Sequence, residues 1–92
     1  LPEADRWLIA ASQRPITLGA NTAGTEATAW KTIPSWTVIG TEDRVIPPAV
    51  QHRMAERAGS TVTEVAGSHV SMVSHPDAAI AAILAAAATV PD

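Results

Sequence analysis

From Glu3 to about Gln13, the residues Trp7, Leu8, Ala10 and Ala11 recur at near-helical spacing, and Pro15 stops the pattern by pushing the residue before it out of the α region. A short helix ending near Gln13 is predicted. Ile16 to Lys31 mixes Gly19, Asn21 and Gly24 with Thr and Ala and keeps no period, apart from one turn of helix around Glu26–Trp30, so it reads as loop or lid. Beyond Pro34 the pattern changes. Ser35 to Ile39 is aromatic and β-branched, bounded by Pro34 and Gly40, and suits a buried strand. In Ala49–Ala58, Val50, Met54 and Ala58 fall on one face, with Gln51, Arg53, Glu56 and Arg57 mostly elsewhere. This predicts a helix opened by Pro47-Pro48 and closed by Gly59. Thr61–Val65 alternates Thr and Val as a second strand. Ser74-x-x-Asp77 offers a capping box, with Pro76 in the first turn, for an Ala-rich helix running to about Ala88 whose core face is Ile80, Ile83 and Leu84.

The order strand, helix, strand, helix gives the α/β class. Two strands joined by a helix lie parallel with a right-handed crossover, a βαβ unit. Two strands alone do not make a stable sheet, since a parallel sheet needs neighbours and helices on both faces. The pattern therefore predicts an incomplete domain, with residues 1–30 as a short helix followed by loop or lid and residues 31–92 as a βαβα segment of a larger sheet. A chain this short buries only somewhat over ~60% of its unfolded surface, and Ala adds little per residue. Marginal stability is expected, with self-association through unpaired strand edges.

Composition narrows the function. The 92 residues are 47% hydrophobic and 16% charged, too apolar for a disordered chain. A net charge of −3 with scattered Lys and Arg leaves no basic stripe, so no nucleic-acid partner is expected. The apolar run Ala78–Ala88 falls short of the ~20 residues of a spanning helix, so no membrane partner is expected. The absence of Cys removes disulfides, thiolate metal sites and a Cys nucleophile without fixing a compartment. The Leu1-Pro2 opening reads as a processed or truncated start; with no visible signal the default location is cytoplasmic.

In a parallel sheet, functional side chains gather beyond the carboxyl ends of the strands. That rule selects Gly40–Pro47 after the first strand and Ala66–Met72 after the second, the first carrying Asp43 and the second His69. With neighbouring strands ~4.8 Å apart, short loops from one edge bring Asp43 within hydrogen-bond reach of His69. A carboxylate on one ring nitrogen fixes the tautomer and leaves the other nitrogen as a base. The plainer alternatives are a turn role for Asp43, satisfying backbone amides, and a polar turn role for His69. Glu42 and His52 read as solvated, and His75, beside Pro76, as a cap or solvent residue. His52, His69 and His75 show no helical ligand pair, so no metal site is expected. Trp7, Trp30 and Trp36 read as packing anchors and Met72 as core filler behind the histidine loop.

The run Trp30–Pro48, with Gly40-Thr41-Glu42-Asp43-Arg44-Val45-Ile46-Pro47 at its centre, resembles the strand and acid loop of α/β-hydrolases, patterned G-x-x-D-x-x-x-P. Gly67-Ser68-His69-Val70-Ser71-Met72-Val73-Ser74-His75-Pro76 resembles their histidine loop and last helix, in the family's chain order of Ser, acid, His. The resemblance covers about Trp30 to Val90 and is greatest to small-ester hydrolases related to the plant methyl-esterase and hydroxynitrile-lyase group. It implies the carboxy-terminal part of a serine hydrolase, with Asp43 as orienting acid, His69 as general base and then general acid, a small ester as substrate and no cofactor. Lyase or dehalogenase chemistry on the same scaffold stays open. No G-x-S-x-G occurs, and Ser68, without a second glycine or a strand-to-helix elbow, is not a nucleophile. The chain by itself is therefore expected to be inactive. The rival expectation is a non-catalytic βαβα module or degenerate remnant that docks onto another chain.

Overall fold

A computed structural model describes residues 1–92 and centres on two parallel strands, β1 (Trp36–Gly40) and β2 (Thr61–Val65). They pair in register from Trp36 opposite Thr61 to Gly40 opposite Val65, so both point their carboxyl ends to the same edge. The crossover between them is α3 (Pro48–Ala58), which starts with Pro48 in its first turn. It ends at Gly59, whose left-handed backbone (φ 65°) lets its N–H cap the carbonyls of Ala55 and Glu56. A side chain there would strain the turn that feeds β2.

The helix faces differ from the apolar stripes read in the sequence. On α3 the half-buried Val50, Gln51 and Ala58 flank the buried Ala55, so Val50 and Ala58 of the predicted stripe face inward while Met54 is exposed and Gln51 and Ala55 take its place against the sheet. The last helix, α5 (Pro76–Ala87), packs on β1 and β2 with Ala78, Ala79, Ala82 and Ala86 as its half-buried positions. Ile80, Ile83 and Leu84 point away, Ile83 being 67% exposed. Methyl side chains allow close approach of helix backbone to strand, and that contact outcompetes the larger stripe, for which these residues supply no facing layer.

Two short elements fill what the sequence pattern assigned to loops. α2 (Leu18–Thr22) is a single turn capped by Thr17, whose Oγ1 accepts from the Ala20 N–H. α4 (Ser71–Ser74) follows the His69 loop. Ser74 closes that turn, donating to the Ser71 carbonyl, and so does not cap α5; His75 occupies the cap position with no side-chain cap bond, and the capping box does not form. Met72 is exposed rather than core filler, as is Trp7 on α1 (Glu3–Ser12). Trp30, in a 3-10 turn at Ala29–Lys31, takes the Arg57 guanidinium over its ring at 5.0 Å, a cation–π contact tying that turn to the end of α3.

Core burial is slight. Ile39 is fully buried and Ala55 nearly so, and they are the buried hydrophobic residues. The chain exposes 7333 Å², against about 5000 Å² for a compact globule of this mass. Its radius of gyration is 15.2 Å, against about 12 Å for a compact domain of this length. The α/β unit is thus a thin layer with large apolar areas uncovered. No helix is long and apolar enough to cross a membrane.

Candidate active site

The strand ladder continues past the ends of both strands and draws the two following loops together. The Thr41 N–H donates to the Val65 carbonyl at 2.8 Å and the Glu42 N–H to the Gly67 carbonyl at 3.0 Å. Gly40 sits where the loops converge: a Cβ there would collide with the backbone carbonyls of Gly67 and Ser68, so the close approach requires glycine. The turn then closes with the Asp43 N–H on the Gly40 carbonyl at 3.1 Å.

These bonds place Asp43 beside His69. Oδ2 of Asp43 lies 2.8 Å from Nδ1 of His69. The other carboxylate oxygen, Oδ1, accepts the N–H groups of Val45 at 2.8 Å and Ile46 at 3.0 Å. The turn role and the histidine-facing role are therefore filled at once, by different oxygens of one carboxylate. Nε2 of Gln51 completes the set, donating to Oδ2 at 2.7 Å and to the Ile46 carbonyl at 2.7 Å. The Asp43 side chain is 2% exposed. Burial pushes its carboxyl up, but the hydrogen bonds from His69, Ile46, Val45 and Gln51 outweigh it and bring the pKa from 3.8 down to about 2. Asp43 is an anion at neutral pH.

A carboxylate only accepts, so the His69 Nδ1 facing it carries the hydrogen and Nε2 of the neutral ring is left with its lone pair. The His69 side chain is 45% exposed and makes no hydrogen bond through Nε2 within the chain. It lines an open cleft of about 900 Å³ with Thr41, Glu42, Arg44, Ser68, Leu1 ahead of α1 and Arg6 in its first turn. An imidazole oriented by a buried anion, with one bare nitrogen facing a cleft, can accept a proton and hold the resulting charge. Ser68 has its hydroxyl buried without a hydrogen-bond partner. A second, apolar groove of about 600 Å³ runs between Ile33–Trp36 and the end of α5; it carries no titratable side chain and lies away from this chemistry.

The other histidines stand apart. His52 is exposed and pairs through Nε2 with Glu64 at 2.6 Å, linking α3 to β2. His75, read in the sequence as a cap or solvent residue, instead donates from Nε2 to the Ala66 carbonyl at 3.0 Å, pinning the base of the His69 loop. No group of three or more His, Asp or Glu side chains gathers as a metal centre would. Gln51 is the site residue that sequence reasoning missed. Its polarity put it on the outer face of α3, and only its spacing four residues before Ala55 hinted at an inward position.

Among curated proteins and solved structures, no match to the chain was found. The family model described as the alpha/beta hydrolase family matches residues 1–83. That match spans both strands, the crossover helix and both loops of the site. Parallel strands of this register, an acid loop after one and a histidine loop after the next, and a family match over most of the length together establish that the chain belongs to the alpha/beta hydrolase family.

Proposed function

We propose that this chain supplies the acid and base of a serine hydrolase that cleaves a small ester by acyl transfer. The observation that carries the reading is the 2.8 Å Asp43–His69 hydrogen bond, with Nε2 of His69 bare toward the cleft. In the reaction, Nε2 takes the proton of a serine hydroxyl as that oxygen attacks the ester carbonyl. Asp43 steadies the imidazolium, which then protonates the leaving alcohol. Water, activated by the same nitrogen, attacks the acyl-enzyme and releases the acid, returning the proton to the serine.

The 92 residues hold no G-x-S-x-G, so the serine and the oxyanion donors belong to sequence outside them. On this reading residues 31–92 are the carboxy-terminal βαβα part of the hydrolase sheet and residues 1–30 the end of a lid. The uncovered face of α5 and the unpaired edge of β1 support it, since both lack the layers that a full parallel sheet supplies. The run Trp30–Pro48 supports the narrower assignment to small-ester hydrolases akin to the methyl-esterase and hydroxynitrile-lyase group. In a full-length protein carrying this chain, Asp43→Asn is expected to lower kcat by about 10⁴, because the carboxamide no longer enforces the tautomer. A kcat within a few-fold of wild type would return Asp43 to a turn role.

A second reading is favoured by the exposed Ile80, Ile83 and Leu84: a non-catalytic module that associates through these side chains and its strand edge. It predicts that substitutions at Asp43 and His69 alter stability alone.

A further inference from the structure

We infer that Gln51 is the positioning residue of the acid–histidine pair: its side-chain amide grips Asp43 and the acid loop together and so sets the direction in which the carboxylate meets His69. The inference rests on the proposed role of Asp43 and His69, and adds to it a third side chain, from a different element.

The geometry is a closed accounting of donors and acceptors. A carboxylate offers about four lone-pair sites. Oδ1 receives two backbone N–H groups, from Val45 and Ile46, and Oδ2 receives His69 Nδ1 and Gln51 Nε2. All four sites are filled, and Oδ2 is shared by the base and the amide. Gln51 in turn spends both of its N–H bonds, on Asp43 Oδ2 and on the Ile46 carbonyl, each at 2.7 Å. Both neighbours are acceptors, so only the nitrogen end of the amide fits.

Ile46 is consequently held twice, its N–H by Oδ1 and its carbonyl by Gln51. The backbone N–H groups at Oδ1 alone leave the carboxylate free to swing about that oxygen. Gln51 removes this freedom by fixing Oδ2 against α3, the rigid crossover element, whose first turn carries it. A neutral donor suits the task. A lysine or arginine at 51 would offset the Asp43 charge that the imidazolium needs, whereas an amide orients the carboxylate and leaves its charge in place.

The test reads the His69 ring directly and requires no serine. Ring nitrogen chemical shifts at about pH 8, above the ordinary imidazole range, report which nitrogen carries the hydrogen in the neutral ring. The variants are Gln51→Met, which keeps length and removes the donors, and Gln51→Glu, which keeps reach and shape. In the 92-residue wild type the Nδ1–H form is expected to dominate. In Gln51→Met it is expected to lose that dominance. In Gln51→Glu a second carboxyl faces Asp43, so the Asp43 side-chain titration is expected to rise clearly above about 2. Should Gln51→Met fail to fold, Gln51→Glu carries the test. Folded Gln51 variants with an unaltered His69 tautomer, whatever their melting temperature and whatever the Asp43 titration does, would overturn the inference. Asp43→Asn separates it from the reading beneath. A ring indifferent to Asp43→Asn overturns the acid–histidine pair itself, whereas a ring that responds to Asp43→Asn and ignores both Gln51 variants overturns only the role of Gln51.

Discussion

Gly40→Ala couples the fold to the site, and its cost follows from the crossing of the two loops. A methyl group at 40 points into the backbone carbonyls of Gly67 and Ser68, which belong to the loop bearing His69 and are not the yielding ends of side chains. Restoring van der Waals separation requires that loop to retreat by roughly 1 Å. Overpacking of this kind costs about 1–3 kcal/mol. In a chain of this size each kcal/mol moves the melting temperature by about 4–8 °C, so a fall of at least several degrees is expected. The same retreat stretches the 2.8 Å Asp43–His69 bond toward about 3.8 Å, beyond hydrogen-bonding range. Thermal unfolding followed by circular dichroism reads the first effect, and His69 ring nitrogen shifts the second. Gly24→Ala is the control, because a Cβ there meets nothing within 4 Å. A Gly40→Ala protein that melts with the wild type and keeps its His69 ring signals would refute the reasoning.

The remaining predictions concern acid, core and surface. The folded pKa of Asp43, about 2, lies below its ordinary 3.8, so the unfolded chain binds more protons in that window; the contribution of Asp43 is full above about pH 4 and is lost as pH falls through about 2. Urea unfolding between these limits should show stability rising with pH in wild type, and a shallower rise in Asp43→Asn. Ile39, fully buried in β1, should cost about 2–5 kcal/mol as Ile39→Ala, enough to unfold much of a marginal chain in a denaturant titration. Ile83→Ser, on the uncovered face of α5, should change the unfolding free energy by less than about 0.5 kcal/mol while reducing self-association in sedimentation velocity; unchanged association would place the sticky surface elsewhere.

The strands and the crossover were legible because their signals are local. The β-branched run before Gly40, the alternation of Thr61–Val65, and prolines and Gly59 at the ends of α3 each act within a few residues. The meeting of Asp43 and His69 was legible for a topological reason: parallel neighbours end at one edge. Helix orientation was not legible. Alanine carries a weak hydrophobic signal, so the stripe Ile80, Ile83 and Leu84 drew the core assignment that Ala78, Ala79, Ala82 and Ala86 hold in space. A partial rotation on α3 concealed Gln51, since a polar residue reads as outward until its hydrogen bonds are known. α2 and α4 are single turns fixed by one cap or one loop, too short for any period to register.

The central claim is that His69 moves the proton in an acyl transfer. Its most direct measurement is the ester-hydrolysis kcat of a full-length protein carrying these residues, compared with His69→Ala under conditions where both melt cooperatively at similar temperatures. Loss of about 10⁶ in kcat is predicted, the cost of deleting the base of such a constellation. Undiminished turnover in a folded His69→Ala protein would contradict the account.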